Sequence, residues 1–175
     1  MISEVFRKGR DAKEASYALA ATSTAAKNQA LAAIADGLVA HEDDILAANA
    51  VDLKRAREKG MAEAMVDRLT LTKDRIAAMA EGVRQVIDLP DPAGVVLDEW
   101  DRPNGLNIRK VSVPLGVIAI IYESRPNVTV DAAVLCVKAG NAASSAAAVK
   151  PSRPIRPWLT SSAKAWPKPV SRPMP

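Results

Sequence analysis

The sequence contains little cysteine and few aromatic residues. Cys136 is the only cysteine among 175 residues, so no disulfide can form within one chain. Three tryptophans, two tyrosines and one phenylalanine are its aromatic residues, and alanine supplies much of the 49% hydrophobic content. This composition favours closely packed helices over a β-sandwich or barrel, whose strands are rich in valine, isoleucine and aromatic residues. A single thiol is compatible with the cytoplasmic location that we expect.

Long apolar runs are also absent. The N-terminal stretch MISEVFRKGRDAKEAS has no apolar core of signal-peptide length. No segment has eighteen uninterrupted apolar residues, so we expect no membrane-spanning helix and no membrane partner. The sequence lacks the GxGxxG and P-loop patterns that bind phosphate groups.

Acidic residues are missing from residue 144 onward. Residues 1–143 hold 18 Lys/Arg and 20 Asp/Glu, whereas residues 144–175 hold six Lys/Arg and no acid. The same C-terminal segment holds seven of the twelve prolines. Proline interrupts helices and central strands, so we expect residues 144–175 to be a disordered basic tail. Such a tail leaves open an alternative function, a non-catalytic fragment that binds nucleic acid or another protein.

Residues 1–93 are predicted to be a helical region, because their apolar residues recur at helical spacing. Gly60 is a predicted helix C-cap and Thr72 a predicted N-cap. The sequence LPDP at 89–92 ends the last helix. The predicted helices lie near Val5–Leu19, Lys27–Val39, His41–Lys59, within 61–71, and Arg75–Ile87.

The hydrophobic period then changes to that of strands. Residues 94–113 are predicted to form a β-hairpin, with strands at 94–98 and 106–113 and an Asn-Gly turn in RPNG. Residues 114–143 are predicted to be a strand, a loop and a helix. Val117–Tyr122 is a β-branched run typical of a parallel strand buried on both faces, and Val128–Lys138 is the helix. This unit opens a doubly wound α/β fold. We expect no second parallel strand after Asn141, because the proline-rich segment follows.

The stretch VPLGVIAIIYESRPNVTVDAAVLCVKAGNA resembles the signature region of the γ-glutamyl phosphate reductases. DILAANAVDLKRAREKG, MVDRLTLT and VRQVIDLPDPAG resemble the N-terminal helices of the same family, in the same order. The resemblance covers about residues 12–142. It implies an aldehyde dehydrogenase-like fold with a Rossmann-like NADP-binding domain, a second domain with a cysteine nucleophile, and a hairpin that helps the enzyme form homo-oligomers.

The resemblance also implies an activity and its site residues. L-Glutamyl 5-phosphate would be reduced by NADPH to L-glutamate 5-semialdehyde, in proline biosynthesis, through a thioester on a cysteine. Asn127 matches the family's asparagine that donates its amide to the oxyanion. Tyr122, Glu123 and Ser124, at the end of the strand, are the candidate cofactor-binding residues, and Arg125 is the candidate substrate-binding residue.

Each of these residues also has a structural alternative. Asn127 is suited to cap the helix predicted to start at Val128. Arg125 is suited to a surface position or an ion pair with Glu123, and Tyr122 to a core position with a solvated hydroxyl. Cys136 lies mid-helix among apolar residues, which predicts an inert core thiol. The family's nucleophilic cysteine lies far downstream, so we expect this chain alone to be inactive, and an unpaired Rossmann strand to favour aggregation.

The tail is explained by a hypothesis about the gene. Regrouping the codons of Ala143–Ser152 by one base permits Ile-Leu-Arg-Gly-Gly-Ser-Glu-Ala-Ile, which is similar to the family's own continuation. We therefore hypothesise a frameshift near codon 143, which would make the basic charge accidental and nucleic acid no partner. Sequencing the gene tests this; an unbroken frame relative to close relatives refutes it.

Overall fold

The structure is a computed structural model that describes residues 4–122 and 125–147. Five helices precede a hairpin, which is followed by a strand, a helix and a second strand. The mixed α/β arrangement predicted from the sequence is confirmed. The elements are α1 Glu4–Ala20, α2 Thr24–Ala40, α3 Glu42–Glu58, α4 Glu63–Leu69, α5 Lys73–Asp88, β1 Val96–Asp101, β2 Asn107–Val111, β3 Val117–Tyr122, α6 Pro126–Lys138 and β4 Ala142–Ala147.

Short polar residues and glycine define the helix ends. Ser23 caps α2 by accepting a hydrogen bond from the Ala26 amide at 3.3 Å. Thr72 caps α5 by accepting one from the Arg75 amide at 3.1 Å, as predicted. Gly60 follows α3 with φ of 71°, a conformation that glycine adopts without a steric penalty. The helical region therefore follows from local sequence signals.

The core of the described residues lies where α2, α5 and α6 meet. Each helix turns one apolar stripe inward, and its charged residues other than Lys27 and Lys138 lie outside. The α6 contribution joins the strand–helix unit to the N-terminal helices in one hydrophobic layer. The fully or nearly fully buried members are Leu31, Ala35, Leu38, Ile76, Ala80, Val83, Val130 and Val134.

A buried asparagine joins α3 to the segment between α4 and α5. The Asn49 side chain donates to the Leu69 carbonyl at 2.9 Å and accepts from the Leu71 amide at 2.8 Å. Without Asn49, the Leu69 carbonyl and the Leu71 amide would lose these hydrogen bonds. A buried backbone group without a partner lowers the stability of the fold. Asn49 therefore fixes the turn that leads into α5.

Two buried lysines anchor the helical layer. Lys27 is 2% exposed, and its Nζ lies 2.5 Å from Asp91 Oδ2. Thr24 Oγ1 donates to the same oxygen at 2.6 Å, and the Ala93 amide donates to Asp91 Oδ1 at 3.0 Å. The carboxylate thus fastens the segment after α5 to the first turn of α2.

The second buried lysine lies at the end of α6. Lys138 Nζ donates to Asn28 Oδ1 and to the Ile87 carbonyl, both at 2.8 Å. Ile87 lies in the last turn of α5, where the helix carbonyls lack intrahelical partners and favour a cation. Lys138 therefore joins the last turn of α6 to α2 and α5.

The hairpin forms as predicted but begins later. β1 and β2 are antiparallel, with Trp100 opposite Ile108 and Asp101 opposite Asn107. The first strand was predicted at 94–98, whereas β1 runs from Val96 to Asp101 because its end gains backbone partners in β2. An exposed ion pair, Arg109 Nε to Glu99 Oε1 at 2.9 Å, adds a cross-strand contact. The role of this hairpin in oligomerisation stays a prediction.

The expectation of no strand after Asn141 was wrong. β4, Ala142–Ala147, pairs in parallel with β3 from Val117↔Ala142 to Tyr122↔Ala147. The prediction averaged the composition of residues 144–175, but 142–147 contain no proline, so every residue there has both backbone groups for the ladder. Residues 144–147, predicted to belong to the tail, thus lie in β4; residues 148–175 and their predicted disorder lie outside the described residues.

The expectation that β3 is buried on both faces was also wrong for this chain. Ile118 and Ile120 are partly buried, whereas Ile121 is 83% exposed. A continuous apolar run shows that side chains suit burial, but burial also needs a covering layer on each face. The described residues supply only two strands, β3 and β4, to this sheet. The side of β3 that carries Ile121 is left uncovered.

We predict that the Lys27–Asp91 pair makes stability depend on pH in the acid range. Burial raises the pKa of Asp91, but hydrogen bonds from Lys27, Thr24 and the Ala93 amide outweigh it and lower the pKa to about 2. Because the folded-state pKa lies below the unfolded value of 3.8, this stability is present above pH 3.8 and is lost as pH falls towards 2. Asp91 should therefore contribute about 2 kcal/mol that disappears in this range.

The measurement is urea unfolding followed by circular dichroism. Asp91→Asn should lose about 3 kcal/mol at neutral pH, because Lys27 stays buried without its counter-charge, and should lack the acid-dependent component. Asp36→Asn, which removes the exposed partner of Arg84, is the matched control and should cost under about 0.5 kcal/mol. Equal acid losses in the wild type and Asp91→Asn would contradict the assignment.

Candidate functional site

The candidate site lies at the carboxyl end of β3. β3 ends at Tyr122, and α6 begins four residues later at Pro126 before the chain returns to the parallel strand β4. Ligands of open α/β sheets bind outside the carboxyl ends of parallel strands, next to the following helix. We therefore place the candidate site between the end of β3 and the start of α6. Two of its candidates, Glu123 and Ser124, lie outside the described residues.

Tyr122 connects the end of β3 to the first turns of α6. Its hydroxyl is hydrogen-bonded to Thr129 Oγ1 at 2.6 Å, in a partly buried position. The side chain is thus neither free nor a plain core residue, because its polar tip has a partner on the helix. This contact sets the angle at which α6 leaves the sheet. A role of Tyr122 in cofactor binding stays a prediction.

The alternative that Asn127 caps α6 is wrong. The helix starts at Pro126, so Arg125 is the N-cap and Asn127 lies inside the first turn. Proline fixes φ near the helical value and has no amide proton to satisfy, which makes it well suited to the first helical position. The predicted start at Val128 was therefore two residues late.

Asn127 has an exposed side chain at the mouth of the site. Within residues 4–122 and 125–147, no hydrogen bond reaches its amide. Arg125 is likewise exposed, and its side chain takes no part in capping the helix. An uncommitted amide and a guanidinium at one helix start are suited to bind an acyl oxygen and an anionic group.

Cys136 is buried, as predicted. It is 5% exposed on the inner side of α6, and burial raises the pKa of its thiol. The thiolate is the nucleophilic form, so a thiol with a raised pKa in an apolar setting is a poor nucleophile. In addition, it lies more than two helical turns after Asn127. In the described part of the chain, no reactive thiol therefore lies beside the Asn127 amide.

Asn141 is a positioning residue that was not among the predicted site residues. It is buried, and its Oδ1 accepts a hydrogen bond from the Gly116 amide at 2.9 Å. Gly140 precedes it with φ of 74°, and a Cβ there would lie 2.9 Å from the Pro114 ring. Together these residues hold the start of β4 beside the start of β3. In the sequence, an asparagine after a helix-ending glycine did not indicate that β3 and β4 pair.

Asp131 is a second residue that the sequence analysis did not single out. It lies four residues after Asn127 on the same exposed side of α6. Burial raises the pKa of its carboxyl group. The spacing of the two polar residues in PNVTVDAA was the available signal.

Nothing in the described part of the chain indicates a metal centre or a membrane span. The described residues contain no group of three or more His, Cys, Asp or Glu side chains arranged to hold a metal ion. None of the six helices is both long enough and apolar enough to cross a bilayer.

Curated relatives of high identity carry one name. The chain is 58% identical to γ-glutamyl phosphate reductase from Heliobacterium modesticaldum over 140 residues, which are 80% of this chain and 34% of that protein. It is 55% identical to the same enzyme from Mesorhizobium japonicum over 133 residues, 76% of this chain and 31% of that one. No protein-family model matches the chain.

Solved structures lead to the same enzyme. The crystal structure of γ-glutamyl phosphate reductase from Thermotoga maritima matches with a TM-score of 0.81 and 43% identity, covering 83% of this chain and 35% of that one. The crystal structure of the Saccharomyces cerevisiae enzyme matches with a TM-score of 0.82 and 33% identity, covering 94% of this chain and 41% of that one. This chain is homologous to part of γ-glutamyl phosphate reductase. It spans about a third of the length of the curated relatives that it matches.

We predict that Cys136 is unreactive in the folded chain. Because the thiol is buried and its pKa is raised, Ellman's reagent should modify it at least about 100-fold more slowly in buffer than in urea. The control is Cys136→Ala combined with Asn104→Cys, which places a thiol in the exposed hairpin turn and should react rapidly in both conditions. Rapid modification of native Cys136 would show that the thiol is accessible.

Proposed function

We propose that this chain supplies the oxyanion-binding part of a γ-glutamyl phosphate reductase. The reaction is the NADPH-dependent reduction of L-glutamyl 5-phosphate to L-glutamate 5-semialdehyde, with release of phosphate. The observation that carries the proposal is the exposed Asn127 amide in the first turn of α6, at the carboxyl end of β3. The similarity to the relatives and the solved structures supports it.

In this mechanism Asn127 donates an N–H to the acyl oxygen. Attack on the acyl phosphate moves negative charge onto that oxygen, and a donor already in place stabilises the charge. The two ends of α6 keep the donor in place, through the Tyr122–Thr129 hydrogen bond and the bonds of Lys138. Arg125, at the helix start, is placed to bind the phosphate or carboxylate of the substrate.

The nucleophile must come from outside the described residues, because Cys136 is buried. A thiolate that attacks the acyl carbon releases phosphate and leaves a thioester. NADPH, when bound, supplies the hydride that reduces this acyl group. The carboxyl ends of β3 and β4 fit the usual place for a nucleotide in an α/β sheet. Tyr122, Glu123 and Ser124 are the residues of this chain that would contact the cofactor.

The experiment is a chimera with the Heliobacterium modesticaldum enzyme. Residues 12–142 of this chain replace the matching segment of that enzyme, and phosphate-dependent reduction of NADP⁺ by L-glutamate 5-semialdehyde is measured. The chimera should be active, whereas the 175-residue chain alone should show no turnover. An inactive but folded chimera would refute the proposed function.

We predict that Asn127→Ala in the chimera lowers kcat by about 10²–10³-fold with little change in the KM for NADP⁺, because the lost donor acts on charge formed in the transition state. The matched control is Asn104→Ala, which removes an exposed asparagine from the turn between β1 and β2. Its kcat should stay within about 2-fold of the parent, since surface substitutions have small effects. A kcat for Asn127→Ala equal to that of the control would remove Asn127 from the mechanism.

A further inference from the structure

One side of α6 is exposed from its first turn to its last. Asn127, Asp131 and Leu135 are exposed at intervals of four residues, while Val130 and Val134 are buried in the core. Side chains four residues apart on a helix are neighbours, with about 5–6 Å between their Cβ atoms. The Asn127 amide and the Asp131 carboxylate therefore lie side by side on the face that borders the candidate site.

In the described part of the chain, the Asp131 carboxylate is without a polar partner. Among residues 4–122 and 125–147, no hydrogen bond or ion pair reaches it. Partial burial raises the pKa of its carboxyl group, and no neighbouring cation in the described residues counteracts this. A cation that binds beside a partly desolvated carboxylate without a counter-charge stabilises it. The exposed acids Asp67 and Glu99, by contrast, already form ion pairs with Arg75 and Arg109.

The substrate of the proposed reaction carries two polar groups that are about as far apart as the Asn127 and Asp131 side chains. It reacts at carbon 5 and carries an ammonium group on carbon 2. Four covalent bonds join the reacting carbon to the ammonium nitrogen, a distance of roughly 5 Å when extended. This length matches the spacing of one helical turn between two neighbouring side chains.

We infer that Asp131 binds the α-ammonium group of the substrate while Asn127 holds its acyl oxygen. The inference rests on the proposed function and deepens it, since it assigns the selection of an α-amino acid derivative to a residue of this chain. Leu135, one turn further along, places an apolar surface beyond the ammonium group. An analogue without the ammonium group leaves Asp131 desolvated and unpaired, so the site disfavours it.

The test compares two aldehydes in the chimera described above. L-Glutamate 5-semialdehyde carries the α-ammonium group, and 5-oxopentanoate lacks it. Asp131→Asn should lower kcat/KM for the first by about 100-fold, mainly through KM, because the charge pair between Asp131 and the ammonium group is lost. For 5-oxopentanoate the same variant should stay within about 3-fold of the parent, and the KM for NADP⁺ should not change.

The matched control is Asp74→Asn, which neutralises an exposed carboxylate in the first turn of α5. It should leave both substrates unaffected. Equal losses on both aldehydes in Asp131→Asn would overturn the inference, since they would show that Asp131 acts by positioning Asn127 or α6. No loss on either would show a carboxylate that merely faces solvent, and would overturn it equally.

A second measurement separates this inference from the proposed function. In the full 175-residue chain, the pKa of the Asp131 carboxyl is followed by NMR with L-glutamine and with glutaramate, its counterpart without the ammonium group. L-Glutamine should lower the pKa and glutaramate should not, because only an ammonium group stabilises the carboxylate. An unchanged pKa with both ligands would overturn the inference even if the chimera were inactive.

Discussion

The packing of α6 against α2 and α5 is the constraint on which the rest of the structure depends. Val130 and Val134 place the inner side of α6 in the same core as Leu31 and Ile76. Because a helix is rigid, burying one side determines the direction of the opposite side. Asn127 and Asp131 therefore lie on the exposed side of α6, away from the core. The direction of these two polar side chains is set by valines on the opposite side of the helix.

Polar anchors give this packing its register. Apolar contact alone is not directional, and a helix can slide or rotate within a hydrophobic layer at modest cost. Lys138 removes this freedom at one end of α6, because its three-donor head must meet the Ile87 carbonyl and Asn28. The Tyr122–Thr129 hydrogen bond does the same at the other end. Asn141 then aligns the two parallel strands through the Gly116 amide.

Local signals predicted much of the fold. Thr72, Gly60 and the proline-rich end of α5 mark boundaries through backbone geometry and capping, which depend on neighbours in sequence. The β3 strand was predicted at its observed bounds because six β-branched or apolar residues are followed by a loop. The start of α6 was placed two residues late, since the value of Pro126 as a first helical residue was not weighed. β4 was missed because strand pairing depends on backbone groups and on an available edge, and alanine and serine carry no strand signal.

The sequence predicted which segment carries the candidate site, but not the contacts of its residues. The motif that contains Asn127 marked this segment, and the apolar run before it predicted the strand that the motif follows. That the Tyr122 hydroxyl bonds Thr129, and that the side of α6 with Asn127 and Asp131 stays exposed while Val130 is buried, depend on where separate elements meet.

The sequence by itself determined the order of the elements from α1 to α6, the buried position of Cys136 and the resemblance to γ-glutamyl phosphate reductase, because periodicity, capping and motif are properties of neighbouring residues. The tertiary structure alone decided that β4 pairs with β3, that one side of β3 remains open, and which lysines are buried against which oxygens. These outcomes require residues far apart in sequence to come within hydrogen-bonding distance. No local pattern encodes such a distance.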